Sequence, residues 1–183
     1  GAVRAQRPDL RMAALSGPSG HRATGVEAIP RARPAAVREA IGACRVLCVG
    51  PGGIFQDVTS AGSCLWYAEK VWRAHRAGAK VVHVGQSLGP LRSPLARWAT
   101  GWALRRSWRL VVRDDASFAL AETLGVRREE QLLIGADAAW LLDPPPCSPG
   151  PDRPCRVALS PRPWARGSIG AEWWAHLARH LRE

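Results

Sequence analysis

The chain has 183 residues, a length that fits one domain of ~100–200 residues, or one domain with part of a second. Hydrophobic residues make up 46% and charged residues 22% of the chain, so it can bury a core, and an intrinsically disordered chain is excluded. Its apolar runs are far shorter than the ~20 residues of a transmembrane helix, and arginines interrupt the N-terminal stretch where a signal peptide would be apolar. We therefore expect a cytoplasmic protein.

The net charge of +11 is compatible with nucleic-acid binding, so the distribution of the charge matters. Lys and Arg outnumber Asp and Glu by 8 to 4 in residues 1–60 and by 10 to 3 in residues 61–120, whereas residues 121–183 carry 8 of each sign. The excess is spread at intervals along amphipathic patterns, which is typical of solvated helix faces. We expect no nucleic-acid partner, and a basic module that binds nucleic acid or another anionic polymer is the alternative hypothesis.

The five cysteines are odd in number and form no C-x-x-C pair, which disfavours a disulfide framework and a structural zinc site. We expect them to be reduced and mostly buried. Most of the nine tryptophans lie at helical spacing and are expected in the core, although Trp66, beside Tyr67, and Trp164 could stack on a sugar ring.

Short apolar, β-branched runs alternate with helical patterns, which is typical of βα units and a parallel sheet. The predicted strands are Leu10–Leu15, Arg45–Val49, Lys80–Val84, Leu110–Val112, Gln131–Ile134 and Arg156–Leu159. Helices are predicted over Gly1–Pro8 (a helix tail), over Ser60–Ala77, from Ser93, from Asp114 or Asp115 to Gly125, and over Gly170–Leu181. We therefore expect an α/β fold with a Rossmann-like parallel sheet.

Capping residues mark the ends of these helices. Gly78 is placed as a C-cap, and Ser93 with Pro94 forms an N-cap and first-turn pair. The helix that Ser93 opens is expected to turn a shared face inward, made of Leu95, Trp98, Ala99 and Trp102.

Proline density predicts a linker over residues 143–154, because it is incompatible with a helix and with a central strand. Residues 1–142 then form one Rossmann-like domain, and residues 155–183 the start of a second. One strand and one helix are too little to bury a core, so we expect the second domain to continue beyond Glu183. We also expect a βα unit before Gly1.

Glycine-rich segments follow the second and third predicted strands, at positions where ligands bind in open parallel sheets. Glycines let a ligand approach the backbone, and the N–H groups of a following helix favour an anion such as phosphate or carboxylate. In residues 50–60, spacing alone fits equally well a tight turn in which Asp57 caps the helix. In residues 85–91, Gln86 adds an amide that can orient a polar ligand.

Charged side chains follow the later strands. Arg113 and Asp114 follow the fourth, where pairing of the arginine with its neighbouring carboxylate is favoured over ligand contact. Asp137 follows the fifth, either as a helix cap or as an acceptor that faces the crevice. Arg162 follows the last strand and is suited to bidentate binding of phosphate or carboxylate. The candidate substrate-binding residues are Gly52, Gly53, Gln56, Asp57, Thr59, Gln86, Gly89, Arg113, Asp114 and Arg162.

The histidines offer no clear acid or base. His83 lies mid-strand and is favoured as a hydrogen-bonded core residue. Glu172, His176 and His180 are spaced four apart as metal ligands could be, but an ordinary helix face is favoured because no further ligand accompanies them. We expect no metal site.

Four segments together resemble one family. They are GPGGIFQDVTS at residues 50–60, GQSLGPL at 85–91, VRDDAS at 112–117 and SPRPW at 160–164. In order and spacing they resemble the polysaccharide pyruvyl transferases, especially the bacterial cell-surface branch, from about Leu10 to Trp164. Pro51 stands where that family usually has glycine.

The resemblance implies a two-domain, glycosyltransferase-B-like architecture, of which this chain is the N-terminal half. It implies that phosphoenolpyruvate donates a pyruvyl group, as a ketal, to a surface-polysaccharide sugar, with no further cofactor. The acceptor is then a polysaccharide or a lipid-linked sugar, which places the enzyme near a membrane. The candidate residues above become a donor site, and the family's acid/base histidine falls beyond Glu183. A remnant that folds without catalysing is the remaining alternative.

Overall fold

The computed structural model describes residues 6–17, 26–58, 60–141 and 171–180, without the side chains of Ala171 and His180. The strands are β1 (Met12–Ser16), β2 (Val26–Pro30), β3 (Val46–Val49), β4 (Gly52–Phe55), β5 (Lys80–Leu88), β6 (Arg109–Val112) and β7 (Leu132–Ile134). The α-helices are α1 (Pro34–Ala43), α2 (Ala61–Arg76), α3 (Pro94–Arg105), α4 (Asp115–Thr123) and α5 (Ala171–His180), and a short 3-10 helix spans Ala138–Leu141. The chain divides into two compact units, Gly1–Asp143 and Pro144–Glu183. The predicted linker over 143–154 and the predicted strand Arg156–Leu159 lie outside the described residues.

All strand pairs in the first unit are parallel. The main sheet has the order β3-β5-β6-β7, and a second sheet pairs β1 with β2. Helices α2, α3 and α4 connect the successive strands of the main sheet, as parallel pairing requires. The predicted α/β fold with a Rossmann-like parallel sheet is thus confirmed.

Strand β4 continues the line of β3 along the same edge of β5. Val49 of β3 is in register with His83, and Gly52 of β4 is in register with Gln86. Gly50 and Pro51 interrupt the line, because proline has no N–H to donate to a strand ladder. Residues 52–55 are therefore a strand and not part of a loop, which corrects the interpretation of the whole segment 50–60 as a turn.

Strand β2 and helix α1 were also absent from the sequence prediction. Strand β2 carries Glu27 and ends in Pro30, so that neither alternation nor an apolar run marks it. Helix α1 buries only Val37 and Ile41, and its N-cap Arg33 makes no side-chain capping hydrogen bond. Such a short apolar stripe without a cap gives little periodic signal.

The predicted caps are found in the structure. Ser93 accepts a hydrogen bond from the N–H of Ala96 at 3.4 Å, and Asp114 accepts one from the N–H of Ser117 at 2.7 Å. Gly78 follows α2 with φ +77° and Gly125 follows α4 with φ +81°, the left-handed conformation that ends helices. These residues fix where each helix leaves the sheet.

The face predicted for the core side of α3 is wrong for Leu95 and Trp98, whereas Ala99 is buried and Trp102 packs half-buried against the core. Leu95 is 52% and Trp98 is 63% exposed. The buried residues of this helix are smaller, namely Ala96, Ala99, Thr100, Gly101, Ala103 and Leu104. Helix α3 packs mainly on α2 rather than on the sheet, and small side chains let two helix backbones approach closely.

The tryptophans are likewise largely outside the core. Those exposed are Trp66, Trp72, Trp98, Trp108, Trp140, Trp173 and Trp174. Several are covered by basic side chains instead: Lys70 Nζ lies 4.2 Å from the ring centroid of Trp66, and Lys80 Nζ lies 4.4 Å from that of Trp108. A cation over the face of an indole ring stabilises an exposed tryptophan. A prediction that assigns large apolar residues to the core does not include this interaction.

The cysteine prediction is confirmed in part. Cys44, Cys48 and Cys64 are free thiols, whereas Cys147 and Cys155 lie outside the described residues. Cys64 is buried, Cys44 is half-buried and Cys48 is exposed, so the expectation that they are mostly buried is wrong for the described residues. None of the helices described here is both long and apolar enough to cross a bilayer.

Candidate active site

The candidate residues of three strands meet at one edge of the main sheet. Gly52 is in register with Gln86, and Gln86 with Val112 on the next strand. The N–H of Arg113 donates to the carbonyl of Gln86 at 3.1 Å. Because all these strands are parallel, their carboxyl ends and the loops after them share this edge. We call this the strand-end site.

Gln86 lies inside β5, because the strand continues through Leu88 rather than ending at Val84. Its side chain is fully buried. The amide Nε2 donates to the carbonyl of Val49 at 3.3 Å and also to that of Gly50, so it bridges the break between β3 and β4. Its Oε1 is buried without a hydrogen-bond partner in the described part of the chain. The side chain thus holds the glycine-rich backbone in place, and its contact with a ligand stays a prediction.

Gly85 precedes this residue with φ +60°. A Cβ at this position would lie 3.2 Å from the carbonyl oxygen of Ala136 and 3.2 Å from the nitrogen of Ala138. Glycine therefore permits both the left-handed backbone and the close approach of the segment after β7.

Asp57 joins the loop after β4 to the loop after β5 through hydrogen bonds and does not cap the helix that follows it. Its Oδ2 accepts the N–H groups of Arg92 at 2.7 Å and of Ser93 at 2.5 Å, and its own N–H donates to the carbonyl of Pro90 at 3.1 Å. The N-cap of α2 is Ser60, which accepts the N–H of Gly62 at 3.1 Å. The second oxygen of Asp57, Oδ1, is buried and has no partner among the described residues.

Gln56 and Gly89 lie beside this contact. The side-chain Oε1 of Gln56 accepts the N–H of Val58 at 2.8 Å. The N–H of Gly89 donates to the carbonyl of Phe55 at 2.8 Å, and its φ is +81°. The structure therefore brings the ends of β4 and β5 together, although β4 itself was not predicted as a strand.

Arg113 is the exposed cation of the strand-end site, with 34% of its side chain accessible. Its Nη1 forms an ion pair with Oδ2 of Asp137, and its Nε lies 4.0 Å from Oδ2 of Asp114. Pairing with a carboxylate was expected, but the closer partner is Asp137 after β7 and not the neighbour in sequence. A guanidinium held this way can exchange an exposed carboxylate for an anionic ligand.

Two carboxylates of the site are held in the ionised form. Partial burial disfavours the charge of Asp114, but hydrogen bonds from Ser117 and Ser87 outweigh it and hold its pKa below the usual value. The hydroxyl of Ser87 donates to Asp114 at 2.7 Å. The N–H of Ala139, with Arg113, lowers the pKa of Asp137. Asp137 therefore caps the 3-10 helix, which is one of its two expected roles, and also pairs with Arg113, while its role towards a ligand in the crevice stays a prediction.

Sequence reasoning missed the serines of the site. Ser87 holds Asp114, and the hydroxyl of Ser117 accepts the N–H of Leu88 at 2.8 Å. Ser87 lies in segment 85–91 and Ser117 in segment 112–117, both of which carry the family resemblance. Their partners could not be predicted, because they depend on how the start of α4 packs against β5.

His83 is buried in the core and does not serve as an acid at the strand-end site. Its Nε2 lies 2.8 Å from the hydroxyl of Ser107, and burial lowers its pKa to about 3. Its Nδ1 lacks a hydrogen-bond partner in the described part of the chain. The expectation of a core histidine is confirmed, with one of its two nitrogens satisfied.

The remaining candidates lie elsewhere. Thr59, Arg162 and Trp164 are outside the described residues, so their roles stay predictions. Glu172 and His176 stand on α5 in the second unit. Within residues 6–17, 26–58, 60–141 and 171–180, no three His, Cys, Asp or Glu residues lie together as metal ligands would.

Comparison with known proteins gives one match. No curated protein and no solved structure is significantly similar to the chain. The family model described as Polysaccharide pyruvyl transferase, however, matches residues 7–181, nearly the whole sequence. The two-domain, glycosyltransferase-B-like arrangement stays a prediction. The chain belongs to the polysaccharide pyruvyl transferase family.

Proposed function

We propose that this protein transfers a pyruvyl group from phosphoenolpyruvate to two hydroxyls of a cell-surface polysaccharide sugar, forming a ketal. Family membership indicates a transferase that acts on a polysaccharide. The observation that carries the donor assignment is the convergence of Gly52, Gln86 and Arg113 at one sheet edge. The polymer itself or a lipid-linked precursor is the proposed acceptor.

The reaction balances without a further reagent. The first sugar hydroxyl adds across the double bond, so that its oxygen bonds to C2 and a proton converts the methylene carbon to methyl. The second hydroxyl then displaces phosphate from C2, and its proton leaves with the phosphate. Positive charge develops at C2 and negative charge grows on the leaving phosphate, so catalysis calls for fixed charges on both sides of the donor.

Arg113 is the described residue best suited to hold the donor. Phosphoenolpyruvate carries a carboxylate and a phosphate, and a guanidinium binds either group through two parallel hydrogen bonds. In this proposal the donor takes the place of Asp137 on Arg113, while Asp114 stays bound to Ser87 and Ser117. Gly52 and Gly53, where a Cβ would have nothing within 4 Å, permit close approach of the donor to the backbone.

The test is thermal unfolding of the 183-residue chain with increasing phosphoenolpyruvate, with sulfate and a short oligonucleotide as controls. A ligand at ~100 times its dissociation constant stabilises the folded state by about 2.7 kcal/mol. We expect a selective shift with phosphoenolpyruvate, and a smaller shift in Arg113→Gln. The matched control Arg127→Gln removes an exposed cation with 72% of its side chain accessible and should retain the shift. No shift with phosphoenolpyruvate, or the same shift in both variants, contradicts the donor site.

A second candidate function, binding of an anionic polymer, is favoured by one observation. Residues 70–113 contain ten Lys and Arg residues and no Asp or Glu. Binding by charge alone predicts a salt-sensitive shift with the oligonucleotide and no shift with phosphoenolpyruvate. The same titration therefore separates the two functions.

A further inference from the structure

A cleft lies between the start of helix α1 and the outer face of helix α2. It is open to solvent and has a volume of about 80 Å³. Arg31 and Arg38 line it from the first side, and Trp66, Glu69, Lys70 and Arg73 line it from the second. We call this the α1–α2 cleft. It shares no residue with the strand-end site.

The cleft carries an excess of positive charge. Its four basic side chains face a single carboxylate, Glu69, which forms ion pairs with both Lys70 and Arg73. Partial burial disfavours the charge of Glu69, but hydrogen bonds from Lys70 and Arg73 outweigh it and hold its pKa below the usual value. The carboxylate is therefore already ionised and engaged on the α2 side.

Arg31 and Arg38, on the α1 side, form no ion pair within the described residues. Two arginines that line one cleft without a counter-ion among the described residues leave it positively charged, which favours an anion. Planar guanidinium groups favour carboxylate and phosphate oxygens over other anions, because they bind them in pairs of parallel hydrogen bonds.

The start of α1 adds to the positive potential. Pro34, the first residue of α1, also lines the cleft. The N-cap Arg33 makes no side-chain capping hydrogen bond, and the first turn holds no acidic residue. Neither the N-cap residue nor the first turn thus neutralises the N–H end of the helix dipole, which favours an anion.

Trp66 gives the cleft one aromatic wall. Its side chain is 37% exposed, and Lys70 Nζ lies 4.2 Å from its ring centroid. The cleft therefore combines guanidinium groups with an apolar surface on which the ring or chain attached to an anion can rest.

We propose that the α1–α2 cleft binds a phosphate group, either free or esterified. The volume of about 80 Å³ leaves room for a tetrahedral oxyanion. The excess positive charge favours a phosphate dianion over a carboxylate, which carries a single charge. The ester can be a soluble phosphate or a lipid phosphate, and both present the same terminal group.

Calorimetric titration with inorganic phosphate at low salt tests the proposal. We expect the double variant Arg31→Gln, Arg38→Gln to bind phosphate at least about ten-fold more weakly, because two charge-assisted contacts are lost. The control Arg127→Gln, Arg128→Gln removes the same charge from side chains that are 72% and 67% exposed, and should change the affinity less than about two-fold. Circular dichroism of both variants establishes that they fold.

Equal affinity in the wild type and the cleft variant, equal losses in the two double variants, or no phosphate binding by the wild type overturns the proposal. The single variants Arg31→Gln and Arg38→Gln should each weaken binding, so the test does not depend on one substitution. Arg113→Gln should leave phosphate binding at the cleft unchanged, which separates the cleft from failure of the donor site.

Vesicles distinguish the two sources of phosphate. Phosphatidylcholine vesicles with and without phosphatidic acid are sedimented with the wild type and with the cleft variant. If only the wild type follows the phosphatidic acid, the cleft takes a lipid phosphate. If neither does while the wild type binds free phosphate, the cleft takes a soluble phosphate. If both follow it alike while only the wild type binds free phosphate, the cleft again takes a soluble phosphate, and the vesicles bind other basic surfaces.

Discussion

Arg113 and Asp137 join the carboxyl ends of β6 and β7 through an ion pair between Nη1 and Oδ2. The same aspartate accepts the N–H of Ala139 at 2.9 Å through its other oxygen. One carboxylate therefore caps a short helix and also pairs with Arg113, the residue that we propose binds the donor. A ligand of Arg113 must compete with this internal carboxylate.

The first prediction follows from that competition. Asp137→Asn removes the competing charge, so phosphoenolpyruvate should bind roughly two- to five-fold more tightly, as expected for loss of an exposed ion-pair partner. Titration followed by thermal unfolding measures the change. The control Glu130→Gln releases Arg127, which is remote from the site, and should leave the affinity unaltered. Weaker binding in Asp137→Asn would show that Asp137 supports the donor and does not compete with it.

The second prediction concerns acid stability and His83. Burial holds the pKa of His83 at about 3, below its ordinary value of 6.5, so the folded state keeps the ring neutral while the unfolded chain takes up a proton. Stability is then unaffected above pH 6.5 and falls as the pH drops from 6.5 towards 3. One pKa unit corresponds to about 1.4 kcal/mol, so the full shift corresponds to a loss of about 5 kcal/mol.

His83→Gln should flatten this part of the stability curve, because glutamine does not titrate. Urea unfolding at a series of pH values measures the slope. His75 lies on the exposed surface of α2, and His75→Gln should keep the wild-type slope. An unchanged slope in His83→Gln would mean that His83 is not held neutral by the fold.

The central strands were predictable, because β5 and β6 are β-branched and carry their buried residues with strand periodicity. The helix ends were predictable as well, since Ser93, Asp114 and Gly78 act through local hydrogen bonds and backbone angles. These signals depend on neighbours in sequence and need no knowledge of packing.

The position of Gln86 could not be predicted in the same way. Glycines on both sides of it favour a loop, but β5 continues because its backbone pairs with both β4 and β6. Similarly, spacing shows that Leu95 and Trp98 share a face of α3, but not which face meets α2. Small residues decide that, because they allow the closer contact. Tertiary packing thus overrides the local preference in both places.

The third prediction uses Gly85. In Gly85→Ala the new Cβ would meet two backbone atoms at 3.2 Å, on a residue with φ +60°. Backbone atoms cannot move aside as a flexible side chain can, so we expect a loss of about 1–3 kcal/mol in the free energy of unfolding. Gly42, inside α1, has nothing within 4 Å of the same position. Gly42→Ala should therefore leave stability unchanged or raise it by up to about 1 kcal/mol. Equal effects of the two substitutions would contradict this account.

The last prediction concerns the carboxylate that joins two loops of the strand-end site. Asp57 accepts the N–H groups of Arg92 and Ser93 on one oxygen, at the entrance to α3. Asp57→Ala leaves both donors without their partner and should lower the free energy of unfolding by about 1–3 kcal/mol. It should also weaken phosphoenolpyruvate binding, because the loop that follows β5 loses its hydrogen bonds to the residue after β4.

Asp57→Asn keeps an oxygen acceptor in the same place and should restore most of the stability. Asp9→Ala is the control, since Asp9 is an exposed carboxylate that pairs with its near neighbour Arg7, and its removal should change neither quantity. If Asp57→Ala unfolds like the wild type and binds phosphoenolpyruvate equally well, the two hydrogen bonds do not shape this site.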